Sequence, residues 1–246
     1  MTKLILEIAA NSVASALAAQ EGGADRIELV SALELGGLTP SYATIALARE
    51  HLRLPIYVLI RPRAGDFLYN DLECETMLRD IEASKALGCD GVVVGVLDAD
   101  GNVDVPRCRA LIAAAGSLGV TFHRAFDVTR DPQRALEDVI ALGCERILTS
   151  GGRPRAIDGI DFIATLVAQA GQRLVVMPGA GIDEHNIAAI CAATGARELH
   201  ASAKRAFPSA MRHPYFPGSG MDAGETRSDV EQIRTLSKAL GGESYP

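Results

Sequence analysis

The sequence predicts a single-domain α/β protein with the fold of a (β/α)8 or TIM barrel. Short apolar segments alternate along the chain with Ala- and Leu-rich segments of helical periodicity, and eight such pairs can be counted. Strands that alternate with helices form parallel sheets, and eight repeats favour closure of the sheet into a barrel. The length of 246 residues is also typical of one such barrel.

The predicted elements follow one another at regular spacing. We expect strands to begin near Leu4, Arg26, Ile56, Gly91, Val120, Arg146, Leu174 and Glu198. We expect helices at about 12–20, 42–52, 74–87, 106–115, 132–142, 157–170, 184–193 and 228–240. An open doubly wound sheet is the alternative, but its dinucleotide-binding form carries a Gly-rich turn after the first strand. Residues 7–11 read Glu-Ile-Ala-Ala-Asn instead.

A short motif recurs four times and supports this count of strands. Residues 21–27, 86–92, 141–147 and 193–199 each contain a helix end, a glycine and then the start of a strand. The copies precede the second, fourth, sixth and eighth predicted strands, so the repeating unit is a pair of strands. They mark the N-terminal face of the barrel, which usually serves stability rather than catalysis.

Two helix starts and one long loop can also be predicted. Asp131 precedes Pro132, which combines an N-cap with proline at the first helical position, and Asp183 is expected to cap the seventh helix. The stretch 207–227, rich in Pro, Gly and Ser, lies between the eighth strand and the last helix. A loop this long in a compact domain is usually a lid, a binding loop or a partner contact. No second domain is predicted.

Composition and charge exclude several classes of protein. The formal net charge of −7 gives no support for binding to nucleic acid or to an anionic membrane. No apolar run approaches the ~20 residues that a membrane helix needs, and the first residues do not resemble a signal peptide. The five cysteines, an odd number without close pairs, fit a reducing compartment. We therefore expect a cytoplasmic protein.

A polar stretch follows the fifth predicted strand. His123 and Arg124 come directly after the apolar residues, and Asp127 lies just beyond them. A histidine, a guanidinium and a carboxylate this close together can move a proton, hold an anion and orient one another. In barrels of this class the active site lies at the C-terminal ends of the strands, so other polar groups at strand ends are expected to meet these.

Glu7 and Glu28 lie inside otherwise apolar strands, where a carboxylate is costly unless it is paired. Three interpretations remain open. The two residues could form buried Glu–Arg pairs, could act as a general acid and base, or could bind a divalent metal together with His123 and His200.

Candidate anion-binding groups follow three other strands. Arg61 and Arg63 after the third strand could hold a carboxylate or phosphate, or could pair with the buried glutamates. A turn of small residues with a hydroxyl contains Ser150 and Gly151. The turn between Gly179 and Gly181 precedes a helix and could bind an anion through its N–H groups, or could simply be tight.

The cysteines argue against a cluster of soft metal ligands. Cys89 and Cys144 precede strands, on the face opposite the expected site, and Cys74, Cys108 and Cys191 fall on predicted helices. We expect them to be small buried hydrophobic residues.

The sequence therefore defines a set of candidate site residues. The predicted catalytic residues are Glu7, Glu28, His123 and Asp127. The predicted ligand-binding residues are Arg61, Arg63, Arg124, Ser150, Gly151, Gly179, Gly181 and His200. The sequence leaves the identity of any metal open.

Several of these motifs together resemble one known family. They are Leu6-Glu7-Ile8, residues 23–29, Gly36-Gly37-Leu38-Thr39-Pro40, Arg61-Pro62-Arg63, Gly65-Asp66-Phe67, Gly95-Val96-Leu97-Asp98, residues 121–127, Thr149-Ser150-Gly151 and Gly179-Ala180-Gly181. This combination is similar to the CutC family, named for copper homeostasis, from about residue 4 to residue 202. The resemblance implies a (β/α)8 barrel, a cytoplasmic location, an association with copper tolerance, and copper as a possible bound ion.

Two functional hypotheses follow. The resemblance implies a copper-handling protein. The convergence of acidic, basic and imidazole groups at one face predicts instead an enzyme that acts on a small anionic metabolite, phosphorylated or carboxylated, by acid–base chemistry. The apolar helix faces and the long loop would also permit a homo-oligomer.

Overall fold

Eight parallel strands form the barrel that the sequence predicts. In this computed structural model, which describes residues 3–213 and 224–241, the order of neighbouring strands is β7-β6-β5-β4-β3-β2-β1-β8. A bridge between Gly179 and His200 joins the last strand to the seventh and closes the barrel. Each strand is therefore the spatial neighbour of the next strand in sequence, as expected for consecutive βα units.

The bounds of the elements agree with the predicted alternation. The barrel strands are β1 (Ile5–Ala10), β2 (Arg26–Leu29), β3 (Ile56–Leu59), β4 (Gly91–Val94), β5 (Gly119–Phe122), β6 (Arg146–Thr149), β7 (Val175–Pro178) and β8 (Glu198–Ala201). The helices are α1 (Val13–Glu21), α2 (Tyr42–His51), α3 (Asp71–Ala86), α4 (Val105–Ala115), α5 (Pro132–Ala141), α6 (Ile160–Ala170), α7 (Ile187–Thr194) and α8 (Val230–Ala239). In the described ranges, no helix is both long and apolar enough to cross a membrane.

Side chains that accept from free helical N–H groups define most of the helix starts. The N-cap side chains belong to Ser12, Ser41, Asn70, Asp104, Asp131 and Asp229. The predicted cap at Asp131 is confirmed, with Pro132 as the first helical residue. Each cap satisfies an N–H that has no partner within the helix, so it fixes where the helix begins.

The predicted cap at Asp183 is wrong. The Asp183 carboxylate accepts hydrogen bonds from the N–H groups of His185 and Asn186, at 2.9 and 3.1 Å. These bonds stabilise a turn, and α7 begins only at Ile187. The helix therefore starts three residues later than the sequence predicts, because the turn uses the capping carboxylate first.

The ends of the long loop form a hairpin that the sequence did not predict. Strands β9 (Lys204–Phe207) and β10 (Glu225–Ser228) pair antiparallel, and the residues between 214 and 223 lie outside the described part of the chain. The guanidinium carbons of Arg205 and Arg227 lie over the Phe207 ring, at 4.9 and 4.1 Å from its centroid. The hairpin starts directly after β8, so it places Lys204 at the C-terminal face of the barrel.

Charged and aromatic side chains fill the N-terminal half of the barrel interior. Arg26 and Arg146 are the first residues of β2 and β6. Their guanidinium carbons lie over the ring of Tyr57, at 5.2 and 4.9 Å from its centroid. Barrel interiors are usually packed with branched aliphatic residues, so this stack of cations on a phenol ring is a distinctive feature.

Carboxylates balance these two cations. Arg26 forms ion pairs with both Glu7 and Glu198. Arg146 donates to Glu198 at 3.1 Å and to the Thr121 hydroxyl at 3.0 Å. The lower barrel is thus a connected ionic network in which buried charge has a partner.

Gly91 leaves the space that this network needs. A Cβ atom at this position would lie 2.2 Å from the Tyr57 ring. Since two guanidinium groups lie over that ring, it has little freedom to move away. We predict that Gly91→Ala lowers the free energy of unfolding by about 3 kcal/mol, the upper range for overpacking.

The measurement is urea unfolding followed by circular dichroism. Gly88→Ala is the matched control, because Gly88 has a φ of +76° but a Cβ added there would meet no atom within 4 Å. That control should lose only about 1 kcal/mol, the cost of a left-handed backbone in a residue with a side chain. Equal losses in the two variants would contradict the packing argument.

Candidate functional site

A cavity of about 580 Å³ opens at the C-terminal face of the barrel. Glu28 and His200 line it from within β2 and β8, so they lie deep. Arg61, His123 and Lys204 also line it, and they lie just after strand ends, nearer the mouth. The predicted convergence of polar groups at this face is therefore observed for Glu28, Arg61, His123 and His200.

An imidazole lies between two carboxylates at the base of the cavity. The Nδ1 atom of His200 lies 2.7 Å from Glu7 Oε1, and its Nε2 atom lies 3.6 Å from Glu28 Oε2. All three side chains are buried. The arrangement Glu7–His200–Glu28 can share and transfer protons, because the charge of each group shifts the pKa of its neighbour.

Glu7 is the member of this group that is charged at neutral pH. Burial alone would raise the pKa of its carboxyl, but Arg26 and the hydrogen bond from His200 outweigh burial and lower the pKa to about 2. Of the alternatives for the two glutamates, a buried Glu–Arg pair therefore describes Glu7.

Glu28 has a different environment. In the described part of the chain it forms no ion pair with an arginine, and its charged neighbour at 3.6 Å is His200. Burial, with the nearby charge of Glu7, raises the pKa of Glu28 to about 7, although His200 and Arg26 act in the opposite direction. Near neutral pH this cavity-lining carboxyl can therefore give or take a proton.

His200 favours its protonated form. Burial lowers the pKa of its imidazole, but the hydrogen bond to Glu7 and the charges of Glu28 and Glu7 outweigh burial and raise it. The imidazolium stabilises whichever carboxylate is charged, so His200 links the two glutamates electrostatically.

His123 is held as a neutral hydrogen-bond donor. Its Nδ1 atom accepts from the N–H of Ala125 at 3.1 Å, so the ring proton belongs on Nε2. That Nε2 atom is buried and has no partner among the described residues. Burial and the positive charge of Arg61 lower the pKa of His123 to about 3. The geometry thus favours donation of a hydrogen bond over the uptake of a proton.

Arg61 is a buried cation without a carboxylate partner among the described residues. Its Nη1 atom donates to the carbonyls of Leu35 and Gly37, at 2.9 and 2.8 Å, and Nη2 donates to Gly65 at 2.9 Å. Its Nε atom has no acceptor within hydrogen-bond distance in the described part of the chain. The alternative that Arg61 pairs with the buried glutamates is therefore wrong, because backbone carbonyls of two loops hold its guanidinium elsewhere.

Arg63 turns away from the cavity. It pairs with Glu73 at 2.6 Å and with Asp66 at 2.9 Å, and it does not line the cavity wall. Its guanidinium carbon lies 5.0 Å from the centroid of the Tyr69 ring. The structure therefore places Arg63 in a loop-stabilising position instead of beside Arg61.

Asp127 uses both carboxylate oxygens to hold a neighbouring turn. Oδ1 accepts from the Thr149 hydroxyl at 2.6 Å and from the Ser150 and Gly152 N–H groups at 3.0 and 3.1 Å. Oδ2 accepts from the Ser150 hydroxyl at 2.9 Å and from Arg124 Nε at 2.7 Å. A carboxylate with this many donors is a structural clamp, although it also lines the cavity.

The turn that Asp127 holds does not offer its own N–H groups to a ligand. The Gly151 N–H donates to the Thr149 hydroxyl at 2.9 Å, and neither Ser150 nor Gly151 lines the cavity. Arg124 does line it, with a half-exposed side chain that also donates to the Ser150 hydroxyl at 2.9 Å. Arg124, and not the Ser150–Gly151 turn, is therefore the group that a ligand in the cavity can reach.

The turn after β7 has two glycines with separate roles. A Cβ at Gly179 would lie 2.5 Å from Leu148 Cδ1 and 3.2 Å from the His200 Cβ, so a glycine permits the close approach that closes the barrel. Gly181 has a φ of +65° and lines the cavity mouth. The tight-turn interpretation therefore applies to Gly179, and Gly181 remains a candidate contact.

Sequence reasoning missed two residues of this site. Phe67 lines the cavity and packs against His123, with 5.0 Å between the ring centroids, and Lys204 lines the mouth from the start of β9. A basic residue shortly after the end of the eighth strand was the available signal for Lys204. For Phe67 the signal was only its position in a loop after a strand.

The described residues provide no evident metal centre. They contain no group of three or more His, Cys, Asp or Glu side chains placed to hold an ion. His123 lies apart from the Glu7–His200–Glu28 arrangement, which does not support the predicted four-residue ligand set. The cysteines lie on helices or before strands, as predicted, and all are free thiols.

Comparison with known proteins identifies the family. The model of the CutC family matches residues 4–205 of the chain. The chain belongs to the CutC family. A family protein CutC from Xanthomonas campestris pv. campestris (strain B100) is 56% identical over 237 residues, covering 96% of this chain and 98% of the relative. One from Xylella fastidiosa (strain Temecula1) is 58% identical over 238 residues, covering 96% and 88%.

Solved structures confirm the fold. A CutC protein of Streptococcus agalactiae, described as a candidate copper homeostasis protein, matches with a TM-score of 0.77 and 34% identity over 80% of this chain and 97% of that one. A thiamine phosphate pyrophosphorylase from Pyrococcus furiosus matches with a TM-score of 0.61 at 15% identity, over 97% of this chain and 96% of that one. The second likeness supports the barrel alone.

The raised pKa of Glu28 predicts a pH-dependent effect of Glu28→Gln on stability. The folded state holds this proton more tightly than the unfolded state, so the stabilisation is complete below pH about 4.5 and is lost as the pH rises to about 7. Glutamine mimics the protonated form at every pH. We therefore expect the variant to gain up to about 3 kcal/mol over the wild type at pH 8 and little at pH 4.5.

Chemical unfolding of both proteins at these two pH values measures the difference. Glu34→Gln, a change at an exposed residue in the loop after β2, serves as the control and should shift stability equally at both. A gain from Glu28→Gln that does not depend on pH would contradict the assignment of a neutral-pH carboxyl to the cavity.

Proposed function

We propose that the chain is an enzyme that acts on a small anionic metabolite by acid–base chemistry, with Glu28 as the group that accepts and returns the proton. One observation carries this proposal. Glu28 is a buried carboxyl that lines the cavity and has a pKa of about 7, which is the value an acid–base catalyst needs at neutral pH.

The neighbours of Glu28 support this role. When Glu28 is the carboxylate base, the His200 imidazolium at 3.6 Å stabilises its charge. When Glu28 has taken a proton, Glu7 still balances His200 through the 2.7 Å contact. His200 and Glu7 therefore act as positioning residues, which keep Glu28 usable in both protonation states without a change of fold.

The charge at the cavity mouth supports an anionic substrate. Arg61, Arg124 and Lys204 line the cavity, and Lys204 forms no ion pair with another described residue. The protein as a whole carries a formal net charge of −7, so the three cations that line the cavity contrast with the negative charge of the molecule. Such an arrangement attracts phosphorylated or carboxylated metabolites and disfavours cations.

Copper handling is the second candidate, favoured by the family and by the description of the Streptococcus agalactiae relative. Thiolates are the ligands that Cu(I) prefers. Burial raises the pKa of Cys89 to about 11 and of Cys108 and Cys144 to about 12, which opposes thiolate formation. The described residues therefore do not fit a dedicated thiolate site, and copper has no part in the mechanism proposed.

We also infer a cytoplasmic location. All five cysteines are free, three of them buried and two partly buried, which fits a reducing compartment. The family resemblance points the same way.

The proposed chemistry predicts that the substrate exchanges a C–H hydrogen for deuterium in heavy water, so the corresponding proton NMR signal is lost. The protein would be incubated in D2O with a panel of phosphorylated sugars and small hydroxy- and keto-acids, and exchange would be followed by proton NMR. For a compound that exchanges with the wild type, we expect Glu28→Gln to slow exchange at least about 100-fold, the typical contribution of a general base. Glu34→Gln should match the wild type, and unimpaired exchange by Glu28→Gln would remove Glu28 from the mechanism.

A competition assay with a Cu(I) chelator tests the second candidate. We expect weak binding that Cys74→Ser and Cys191→Ser, at the two partly buried cysteines, leave unchanged. Tight binding that either substitution abolishes would restore copper as the ligand of this protein, with a site that the described geometry does not reveal.

A further inference from the structure

Two buried hydrogen-bond donors of residues that line the cavity have no acceptor within hydrogen-bond distance among the described residues. They are Nε of Arg61 and Nε2 of His123, on side chains that are 6% and 4% exposed. Both residues line the cavity. Buried donors without an acceptor are costly, and a buried guanidinium without a counter-charge is more so, which indicates that a ligand satisfies them.

The two donors share one wall of the cavity. The Phe67 ring contacts both residues, with its centroid 5.2 Å from the Arg61 guanidinium carbon and 5.0 Å from the centroid of the His123 ring. Phe67 itself offers no hydrogen bond. An occupant beside this wall therefore meets two donors and an apolar surface.

Of the two donors, His123 lies across the cavity from the acid–base group and Arg61 lies closer to it. His123 follows β5, and the order of strands places β5 on the opposite side of the barrel from β1. Glu28 and His200 lie on β2 and β8, the two neighbours of β1. Arg61 follows β3, the neighbour of β2, so a small molecule in the cavity can contact His123 on one side and Glu28 on the other, with Arg61 between them.

We propose that Arg61 and His123 form a seat for a planar oxyanion of the substrate, a carboxylate or the oxygen of an enolate, in the cavity that Glu28 also lines. Two unpaired donors match two carboxylate oxygens or two lone pairs of one enolate oxygen. A phosphate carries more oxygens than these two donors and the apolar Phe67 ring can pair. The inference deepens the proposed function and rests on it for the identity of the base.

The step that this seat supports is proton abstraction next to a carbonyl. The Glu28 carboxylate takes the proton, the C–H electron pair forms a carbon–carbon double bond, and the carbonyl π pair moves onto oxygen. Arg61 supplies positive charge there, and the neutral His123 donates its Nε2–H without losing it. Return of the proton from Glu28 to the same carbon restores the carbonyl, so the step needs no co-reactant.

Binding of oxalate, a planar dianion, tests the seat by titration calorimetry, with inorganic phosphate as the tetrahedral comparison. We expect oxalate to bind more tightly than phosphate and Arg61→Met to weaken oxalate at least tenfold. Arg63→Met is the matched control, because Arg63 lies two residues away and outside the cavity, and it should stay within twofold of the wild type. Equal affinities of the two variants, tighter binding of phosphate, or no binding of either anion at millimolar concentration would each overturn the proposal.

Variants of His123 separate a donor role from a packing role. His123→Leu should weaken oxalate binding about tenfold, whereas His123→Gln, whose amide can place an N–H near the Nε2 position, should recover most of the affinity. In the wild type, nitrogen NMR should show a neutral His123 with its proton on Nε2, and oxalate should shift that resonance but not those of His51 and His185. An unshifted His123 resonance in the oxalate complex would overturn the seat even if Arg61→Met failed to fold.

The same experiments distinguish failure of the seat from failure of the proposed function. Glu28→Gln should bind oxalate at least as tightly as the wild type while losing exchange in D2O. Intact exchange chemistry with oxalate binding indifferent to Arg61 and His123 would overturn the seat alone. Oxalate binding at the seat, with exchange indifferent to Glu28, would confirm the seat and overturn the base.

Discussion

The charge on Glu7 is the constraint on which the site depends. Arg26 holds this carboxylate from below, and His200 contacts it from above at 2.7 Å. Because Glu7 is ionised, the pKa of His200 is raised and the imidazolium is favoured. The imidazolium in turn counteracts part of the rise that burial causes in the pKa of Glu28. Removing Arg26 would therefore alter the protonation of groups that it does not touch.

The barrel interior is divided into two levels with different tasks. The lower level contains Arg26, Arg146, Tyr57 and Glu198, which pair with or stack on one another. The upper level contains the cavity, where Glu28 has His200 as its charged neighbour and where Arg61 Nε and His123 Nε2 have no hydrogen-bond partner among the described residues. A packed ionic base thus lies beneath an open site.

The sequence predicted the fold and the placement of much of the site, because apolar runs, glycine turns and strand ends are local signals. Glu28, His123, Arg61 and His200 were predicted at one face and do line one cavity. Their individual roles could not be predicted. Which glutamate pairs with an arginine depends on register across the barrel, where Glu7 lies beside Arg26 on the neighbouring strand.

The conformations of the loops could not be predicted from the sequence. Arg63 and Arg61 are two residues apart, yet the loop turns only Arg61 into the cavity, since Glu73 and Asp66 hold Arg63 outside. The hairpin that begins at Lys204 was also missed, because its charged strands lack the apolar alternation that identifies a strand.

The charged groups in and around the cavity differ in how far they are accessible to dissolved ions. Glu7, Glu28 and His200 are shielded from solvent, so salt in the surrounding water screens their mutual interactions weakly. Arg124 is half-exposed and Lys204 exposed, so their attraction for an approaching anion weakens as ionic strength rises. A rise in ionic strength should therefore slow the capture of an anionic substrate but have little effect on the proton transfer that follows inside the cavity.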